Sequence, residues 1–159
     1  MSPIYPADIE WLQDGSPRSL TYGDIYFSDG GSQAESEHVF LAGNRLAQRW
    51  QSLADSNRVF TLGELGFGTG LNFLLTWRLF EKLQIPGLRL HYVAFERHPL
   101  DRDSMGKVHA LWPELSTLSA ILDEQYLEHT QGLHRYLLAE NLILDLCLSD
   151  AREGLTTMA

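Results

Sequence analysis

The sequence has little cysteine, little lysine and no long apolar run, and each shortage excludes a class of protein. The single cysteine, Cys147, cannot form an internal disulfide, so a scaffold held by disulfides is excluded. No apolar run reaches the roughly 18 to 20 residues that span a bilayer, so the sequence predicts no membrane-spanning helix. The first residues lack the basic start and apolar core of a secretory signal. Together these absences favour the cytoplasm.

The charge balance argues against one kind of partner. Only 12 residues are Lys or Arg against 21 that are Asp or Glu, which gives a formal net charge of −9. A chain with this excess of negative charge does not hold nucleic acid through a general positive field. The net charge does not exclude binding through a local basic patch. The arginines are scattered, and we interpret them mainly as solvated surface. The histidines lack the spacing of metal ligands, so no metal site is predicted.

Residues 1–58 are interpreted as an N-terminal extension made of a hairpin and a helix. Turn-forming residues cluster at residues 15–17 and 29–32. The apolar residues between these two turns predict a short strand or hairpin within residues 21–28.

A helical pattern follows from about residue 35 to residue 53, with a break expected at Gly43-Asn44. One face of this helix is expected to be apolar. The residues predicted on that face are Val39, Phe40, Leu46, Ala47 and Trp50.

Residues 59–159 show an alternation of strands and helices. The predicted strands are residues 59–62, 88–95, 133–138 and 142–148, and the predicted helices are 71–83, 100–110, 114–128 and one starting at 152. The strand at 88–95 is apolar enough to be expected in a position buried on both faces. Cys147 lies inside an apolar strand and is interpreted as a small core residue.

Strands separated by helices are typical of βαβ units and an α/β fold with a parallel sheet. Right-handed crossovers would place the second and third strands successively outward on one side of the first. The pattern therefore predicts the N-terminal half of a doubly wound, mostly parallel sheet. Residues 59–159 would form the first half of that domain, with the first strand at an open edge.

The most informative segment is Glu64-Leu65-Gly66-Phe67-Gly68-Thr69-Gly70, between the first strand and its helix. Glycine stands at every second position after an acidic residue. Glycine permits positive φ and lets the backbone approach a ligand with no Cβ in the way. The carboxyl end of the first strand is also where open α/β sheets bind ligands. The segment predicts a ligand-binding loop, against the alternative of a tight turn without a ligand.

Three kinds of nucleotide loop compete for this segment. A phosphate-binding P-loop needs a Gly-Lys-Ser/Thr ending, and no lysine is present. A dinucleotide fingerprint needs glycine at its sixth position, where this chain has Leu71. The remaining pattern resembles the first motif of class I methyltransferases, which use S-adenosylmethionine. That ligand has no phosphate, and its ammonium and sulfonium would be favoured by the charge of Glu64.

Two further acids follow strands in places that suit the same ligand. Glu96 ends the second core strand and could accept hydrogen bonds from both ribose hydroxyls, as in dinucleotide sites. Asp150 follows the third and could accept from the adenine amino group. Structural alternatives stay open, because Glu96 could be a solvent-facing acid and Asp150 an N-cap of the next helix.

The chain resembles the methyltransferase domain of the bacterial tRNA 5-methylaminomethyl-2-thiouridine biosynthesis bifunctional proteins. The Gly-Phe-Gly-Thr-Gly-Leu-Asn-Phe and Trp-Pro-Glu-Leu stretches are the most specific parts of this resemblance, which covers nearly the whole chain. The matching segments are residues 24–28, 35–41, 43–44, 63–74, 95–100, 109–115, 132–135 and 144–150.

The resemblance implies a Rossmann-like class I methyltransferase fold and a defined reaction. A methyl group would pass from S-adenosylmethionine to the aminomethyl nitrogen of a wobble uridine in the tRNA anticodon loop, giving 5-methylaminomethyl-(2-thio)uridine. A flavin-dependent oxidase, fused or separate, is the further partner, and FAD is expected only with it. The implied cofactor contacts are Glu64, Gly66, Gly68, Gly70, Glu96 and Asp150, with further contacts at Tyr26, Thr69 and Asn72.

One departure from the family concerns the catalytic acid. The family continues with a strand and an Asp-Gly-Phe-Ala-Pro type segment, which supplies the acidic residue beside the reacting amine. This sequence ends at Ala159 before that segment. The resemblance therefore implies either a truncated chain or one whose missing part a partner chain supplies, with little methyl transfer on its own and no identified catalytic base. The alternatives are an inactive fragment and a half domain that binds a nicotinamide or flavin nucleotide without catalysis.

Overall fold

The computed structural model describes residues 2–27, 32–127 and 130–158. Its strands are β1 (Ile9–Trp11), β2 (Pro17–Ser19), β3 (Val59–Leu65), β4 (Arg89–Glu96), β5 (Gly132–Ala139) and β6 (Leu142–Leu148). Its helices are α1 (Ser32–Ser36), a π-helix (Glu37–Ala42), α2 (Leu46–Gln51), α3 (Leu71–Leu83), α4 (Arg102–His109), a 3₁₀ turn (Pro113–Leu115), α5 (Ser116–Gln125) and α6 (Ala151–Met158).

The main sheet has four strands in the order β3-β4-β6-β5. Strands β3, β4 and β6 are parallel, and β4 and β6 lie successively outward from β3 as predicted. Strand β5 pairs antiparallel with β6, an arrangement that the sequence reading did not specify. Only a short turn separates β5 from β6, and a parallel pair needs a crossover of a dozen or more residues. The result is the predicted α/β, Rossmann-like fold.

The N-terminal strands differ from the prediction. The hairpin is formed by β1 and β2, with Gly15 in the turn between them, and not by residues 21–28. The chain turns back directly after β2, because Gly23 donates its N–H to the carbonyl of Ser19 at 2.8 Å. Within the described part of that stretch, Ile25 forms an isolated bridge instead of a strand. Residues 28–31, which include most of the predicted second turn, lie outside the described residues.

The predicted helix break at Gly43-Asn44 is confirmed, because α2 begins only at Leu46. The predicted apolar face is wrong at Val39, whose side chain is 64% exposed, while Leu41 is buried. The reason is the π-helix between Glu37 and Ala42, whose wider turn adds one residue and rotates the following side chains.

The main core lies on one face of the sheet. Buried residues of that face, such as Leu90 and Tyr92, pack against α3, and Trp50 of α2 packs edge-on against Phe80. The opposite face, which we name the open face, is covered near Phe95 by α6. Elsewhere on the outer strands it presents exposed side chains: Val59, Leu65, Leu133 and Leu137. The expected burial of β4 on both faces is therefore wrong for most of its length, whereas Cys147 is buried as predicted.

Helix α6 packs so closely on the sheet that Gly154→Ala is expected to destabilise the chain. An added Cβ would lie 2.7 Å from two ring carbons of Phe95 and from the hydroxyl of Ser149. Overpacking costs about 1–3 kcal/mol, which exceeds the gain of about 1 kcal/mol from replacing a helical glycine. Urea unfolding should show a net loss of stability.

The matched control is Gly106→Ala in α4, where an added Cβ meets no atom within 4 Å. This change should stabilise the chain by about 0.5–1 kcal/mol, because alanine has the better helix propensity. Equal effects of the two substitutions would contradict the tight packing of α6 against Phe95.

Candidate functional site

A cleft of roughly 900 Å³ lies at the carboxyl ends of β3, β4 and β6. Its floor is the segment between β3 and α3, and residues 19–27 of the N-terminal segment contribute one wall. The N-terminal segment is held to the sheet side by the N–H of Ala7, which donates to the carbonyl of Pro99 at 2.9 Å. Open α/β sheets bind ligands in such crevices, and the volume suits a nucleoside-sized molecule.

The glycine loop, residues 66–70, has glycine at three of its five positions. Gly66, Gly68 and Gly70 all have positive φ, of 86°, 55° and 73°. The loop is fixed to β4, because the N–H groups of Gly66 and Phe67 both donate to the carbonyl of Phe95.

Gly66 and Gly68 line the cleft, as predicted for a ligand-binding loop, but Gly70 does not. Gly70 immediately precedes α3, and a Cβ there would lie 2.9 Å from the ring of Phe67. The requirement for glycine at this position comes from close packing and a left-handed conformation. Its predicted cofactor contact has no support in the cleft geometry.

Glu64 lies within β3, which extends further than predicted, and its carboxylate is buried beneath the cleft at 6% exposure. The amide of Asn72 donates to its Oε1 at 2.8 Å, and the hydroxyl of Tyr92 donates to its Oε2 at 2.8 Å. Burial raises the pKa of Glu64 to about 7, and the two hydrogen bonds partly oppose the rise. Each oxygen keeps acceptor capacity for a further donor.

Glu96 is turned inward under the glycine loop and is not a solvent-facing acid. Its Oε2 accepts from the N–H of Gly68 at 2.8 Å, and its Oε1 accepts from the N–H of His98 at 2.7 Å. Burial raises the pKa of Glu96, against the lowering effect of these backbone hydrogen bonds. The carboxylate thus ties the end of β4 to the loop while lining the cleft.

Asp150 reaches the same cleft from the end of β6. Its Oδ1 accepts from the N–H of Arg152 at 2.9 Å, so the alternative that it caps the following helix is supported. The Arg97 guanidinium is 3.4 Å from its Oδ2. Hydrogen bonds from Arg152 and then the charges of both arginines lower the pKa of Asp150. Capping and cleft lining coexist in this geometry.

The remaining predicted residues also lie at the cleft. The ring of Tyr26 lies over the loop, 3.6 Å from the position that a Cβ on Gly68 would take. Burial, followed by the charge of Glu96, raises the pKa of Tyr26 to about 12. Asn72 lines the cleft and also donates its amide N–H to Glu64. Thr69 is buried, and its carbonyl oxygen is hydrogen-bonded to His109.

Several residues of the site were missed by the sequence reading. Arg97 and His98 line the cleft, and their position directly after Glu96 was an available signal. Tyr22 packs edge-on against His98, with ring centroids 5.5 Å apart. Tyr92 could not be found from sequence, because its contact with Glu64 depends on the register between β3 and β4.

Two absences concern the described residues. Within residues 2–27, 32–127 and 130–158, no group of three or more His, Cys, Asp or Glu side chains is placed to hold a metal ion. Across the same ranges, no helix is both long and apolar enough to cross a membrane.

Comparison with known proteins identifies relatives along almost the whole chain, although no family model matches it. The tRNA 5-methylaminomethyl-2-thiouridine biosynthesis bifunctional protein MnmC of Pseudomonas fluorescens is 45% identical over 157 residues, covering 98% of this chain and 24% of that protein. MnmC of Legionella pneumophila is 46% identical over 153 residues, covering 95% and 23%. The resemblance to MnmC is confirmed.

The MnmC of Chromohalobacter salexigens is more distant, at 38% identity over 161 residues, covering 99% of this chain and 23% of that protein. The chain therefore spans about a quarter of the length of the MnmC relatives it matches. A solved structure, MnmC2 of Aquifex aeolicus, superposes with a TM-score of 0.59 at 21% identity, covering 96% of this chain and 45% of that one. This likeness supports the Rossmann-like fold.

Proposed function

We propose that the cleft binds S-adenosylmethionine and that the chain supplies the cofactor-binding part of a tRNA-modifying methyltransferase. The methyl acceptor is the aminomethyl nitrogen of a 5-aminomethyl-(2-thio)uridine at the wobble position. The proposal rests on one observation. Glu64, Glu96 and Asp150 all line a single cleft, together with Gly66 and Gly68 of the glycine loop. The names of the MnmC relatives support the tRNA substrate.

The electrostatics of the cleft suit a cationic nucleoside. Two of its carboxylates have raised pKa values because burial penalises their charge, so a ligand that brings positive charge relieves that penalty. An ammonium or sulfonium near Glu64 would therefore favour the ionised form. Hydroxyl groups of a ribose would find acceptor lone pairs on Glu96, because each carboxylate oxygen can accept more than one hydrogen bond.

The same features argue against a dinucleotide. The start of α3 offers backbone N–H groups to an anion, but the Glu64 carboxylate lies beside it and the chain has no lysine in the loop. Leu71 stands where the dinucleotide fingerprint requires glycine and is buried at 7% exposure. The acidic side chains of the cleft would repel the negative charge of a pyrophosphate. A nucleoside without phosphate would not meet this repulsion.

When bound, S-adenosylmethionine supplies an electrophilic methyl group for in-line displacement by a neutral amine. The chain's own contribution is to bind and orient: the glycine loop gives close approach, and Glu64 and Glu96 supply acceptors at fixed positions. Most of the rate is expected from holding the reacting atoms in line. The amine must lose a proton to a carboxylate or water, and we assign no residue of this chain to that step.

We propose the partners of the whole protein from the MnmC relatives, of whose length this chain spans about a quarter. The net charge of −9 makes a general grip on tRNA by this part of the protein unfavourable. We therefore propose that tRNA is held mainly elsewhere. The relatives are described as bifunctional, which supports the proposal of a flavin-dependent oxidase as the second activity.

Calorimetric titration of the 159-residue chain with S-adenosylmethionine tests the cofactor assignment. Below pH 7 the Glu64 carboxyl is mainly protonated, and a cationic ligand must displace that proton. Affinity should therefore rise from pH 6 to pH 7.5 by up to about tenfold. At pH 7 the binding enthalpy should depend on the ionisation enthalpy of the buffer, since a proton is released.

The matched titration uses NAD, which should not bind. Absence of S-adenosylmethionine binding at every pH would overturn the cofactor assignment. Tight binding of NAD with no competition from S-adenosylmethionine would instead support the nucleotide-binding alternative.

A further inference from the structure

The segment His109-Ala110-Leu111-Trp112-Pro113-Glu114-Leu115 is one of the stretches that match the family, yet the proposed site gives it no role. It begins at the last residue of α4 and runs through the 3₁₀ turn. His109 is 3% exposed, although an imidazole is usually placed where water can reach it. A buried polar ring at this position needs an explanation from its contacts.

Both ring nitrogens of His109 make short hydrogen bonds. Nδ1 lies 2.7 Å from Oδ1 of Asp123 on α5, and Nε2 lies 2.8 Å from the carbonyl oxygen of Thr69. Thr69 lies in the glycine loop, 40 residues earlier in the chain. His109 therefore bridges a carboxylate on the helical layer and the backbone of the cleft floor.

The chemistry of the two partners decides how many ring protons would satisfy both of them. A carbonyl oxygen and a carboxylate both accept, so both hydrogen bonds form at once only when each ring nitrogen donates. A neutral imidazole has one N–H, and only the imidazolium has two. Asp123 is the charged group that α5 presents to the ring, while Thr69 and Trp112, which also face it, are uncharged.

We propose that His109 is a positioning residue that fixes the glycine loop, as an imidazolium paired with Asp123 and bonded to the Thr69 carbonyl. The inference rests on the proposed function, because the loop matters as the floor of the S-adenosylmethionine cleft. On its β4 side the loop is held by Phe95 and Glu96. His109 holds the loop from the side of α4 and α5. The loop is therefore preorganised for ligand binding.

The same segment also supports the cleft wall. The Trp112 ring lies 5.9 Å from the His109 ring and 5.0 Å from the Phe27 ring, centroid to centroid. Phe27 lines the cleft as part of the N-terminal segment. One short stretch of chain thus contacts both the floor and a wall of the cleft.

Three variants test the proposal by NMR, hydrogen exchange and titration with S-adenosylmethionine. In the unmodified chain at pH 7, ¹⁵N spectra should show protons on both ring nitrogens of His109. His109→Gln cannot span both acceptors, so exchange of the loop amides 66–70 should accelerate about tenfold and affinity fall about tenfold, as for loss of a charged hydrogen bond. His134→Gln on β5, outside the cleft lining, should change neither.

Asp123→Asn separates positioning from simple packing. An asparagine amide can donate to Nδ1, so a neutral His109 ring can still donate from Nε2 to Thr69. At pH 7 the His109 ring should therefore carry one proton in Asp123→Asn and two in the unmodified chain, while exchange of the loop amides 66–70 stays slow in both. Loop exchange in Asp123→Asn as fast as in His109→Gln, or the same number of ring protons in both proteins, would overturn the proposal.

The readouts also separate this inference from the proposed function. If S-adenosylmethionine does not bind but the ring and loop behave as described, the cofactor assignment fails and His109 remains a loop-positioning residue. If S-adenosylmethionine binds but His109 carries one proton and His109→Gln leaves both exchange and affinity unchanged, the inference fails and the cofactor assignment remains.

Discussion

Glu64→Gln is expected to weaken S-adenosylmethionine binding by about 10- to 100-fold, the equivalent of about 1.5–3 kcal/mol for a charge-assisted hydrogen bond. The substitution removes the buried negative charge and leaves the shape nearly unchanged. A glutamine oxygen can still accept from Asn72, and its amide can donate to the hydroxyl of Tyr92, which also accepts. Calorimetry at pH 7.5 measures the loss.

The same substitution should stabilise the free chain at alkaline pH. The folded state raises the pKa of Glu64 from 4.5 to about 7, so ionisation between those values costs the folded state more than the unfolded state. The stability contribution of Glu64 therefore falls as pH rises from 4.5 to 7 and then stays constant. At pH 8 the free energy of unfolding of the glutamine variant should exceed that of the unmodified chain by roughly 3 kcal/mol, because the rise in pKa from 4.5 to about 7 corresponds to about 1.4 kcal/mol per pKa unit.

Glu140→Gln is the matched control, because Glu140 is exposed in the turn between β5 and β6. It should leave the affinity for S-adenosylmethionine unchanged. If Glu64→Gln bound S-adenosylmethionine as tightly as the unmodified chain, the cationic part of the proposal would be wrong. A variant less stable at pH 8 would mean that the Asn72 and Tyr92 hydrogen bonds outweigh the cost of burial.

Phe73→Ala is expected to cost about 3–5 kcal/mol of unfolding free energy, the range for truncating a fully buried phenylalanine. Phe73 is 0% exposed on α3 and lies beneath the site. Its ring centroid is 5.0 Å from that of Tyr92, 5.7 Å from Trp77 and 6.2 Å from Phe67. Denaturant unfolding measures the change, which would be a large fraction of an ordinary domain's stability of about 5–15 kcal/mol.

Leu137→Ala provides the comparison on the open face. This side chain is 69% exposed, so its truncation should change stability by no more than about 0.5 kcal/mol. Similar losses for the two variants would contradict the assignment of the core to the α3 side of the sheet.

The position of the acids could be predicted because it follows from topology. Parallel strands end at the same edge of a sheet, so Glu64, Glu96 and Asp150 were expected to meet once three parallel strands were identified. Their hydrogen-bond partners could not be predicted this way. Tyr92 reaches Glu64 through strand register, and His109 reaches Thr69 through the packing of α4 beside the glycine loop.

Local geometry explains the other differences between the structure and the predictions from the sequence. The π-helix places Val39 at the cleft and Leu41 in the core, and no pattern of apolar residues signals one extra residue in a helical turn. The sequence predicts the hairpin within residues 21–28, whereas the structure forms it from β1 and β2. Gly15 lies in the turn between these two strands, but the sequence does not show that it is the centre of a hairpin. Glycine likewise identified the loop without distinguishing Gly66, which lines the cleft, from Gly70, which packs on Phe67.

The open face has a consequence for handling the chain in solution. Leucine and valine side chains on both outer strands meet water there, and β3 has no hydrogen-bonded neighbour on its outer side within the described sheet. Exposed apolar patches and unpaired strand edges promote contact between molecules. Because sulfate and phosphate strengthen apolar association, such salts should drive this chain toward multimers, and dilute, low-salt buffers should keep it dispersed.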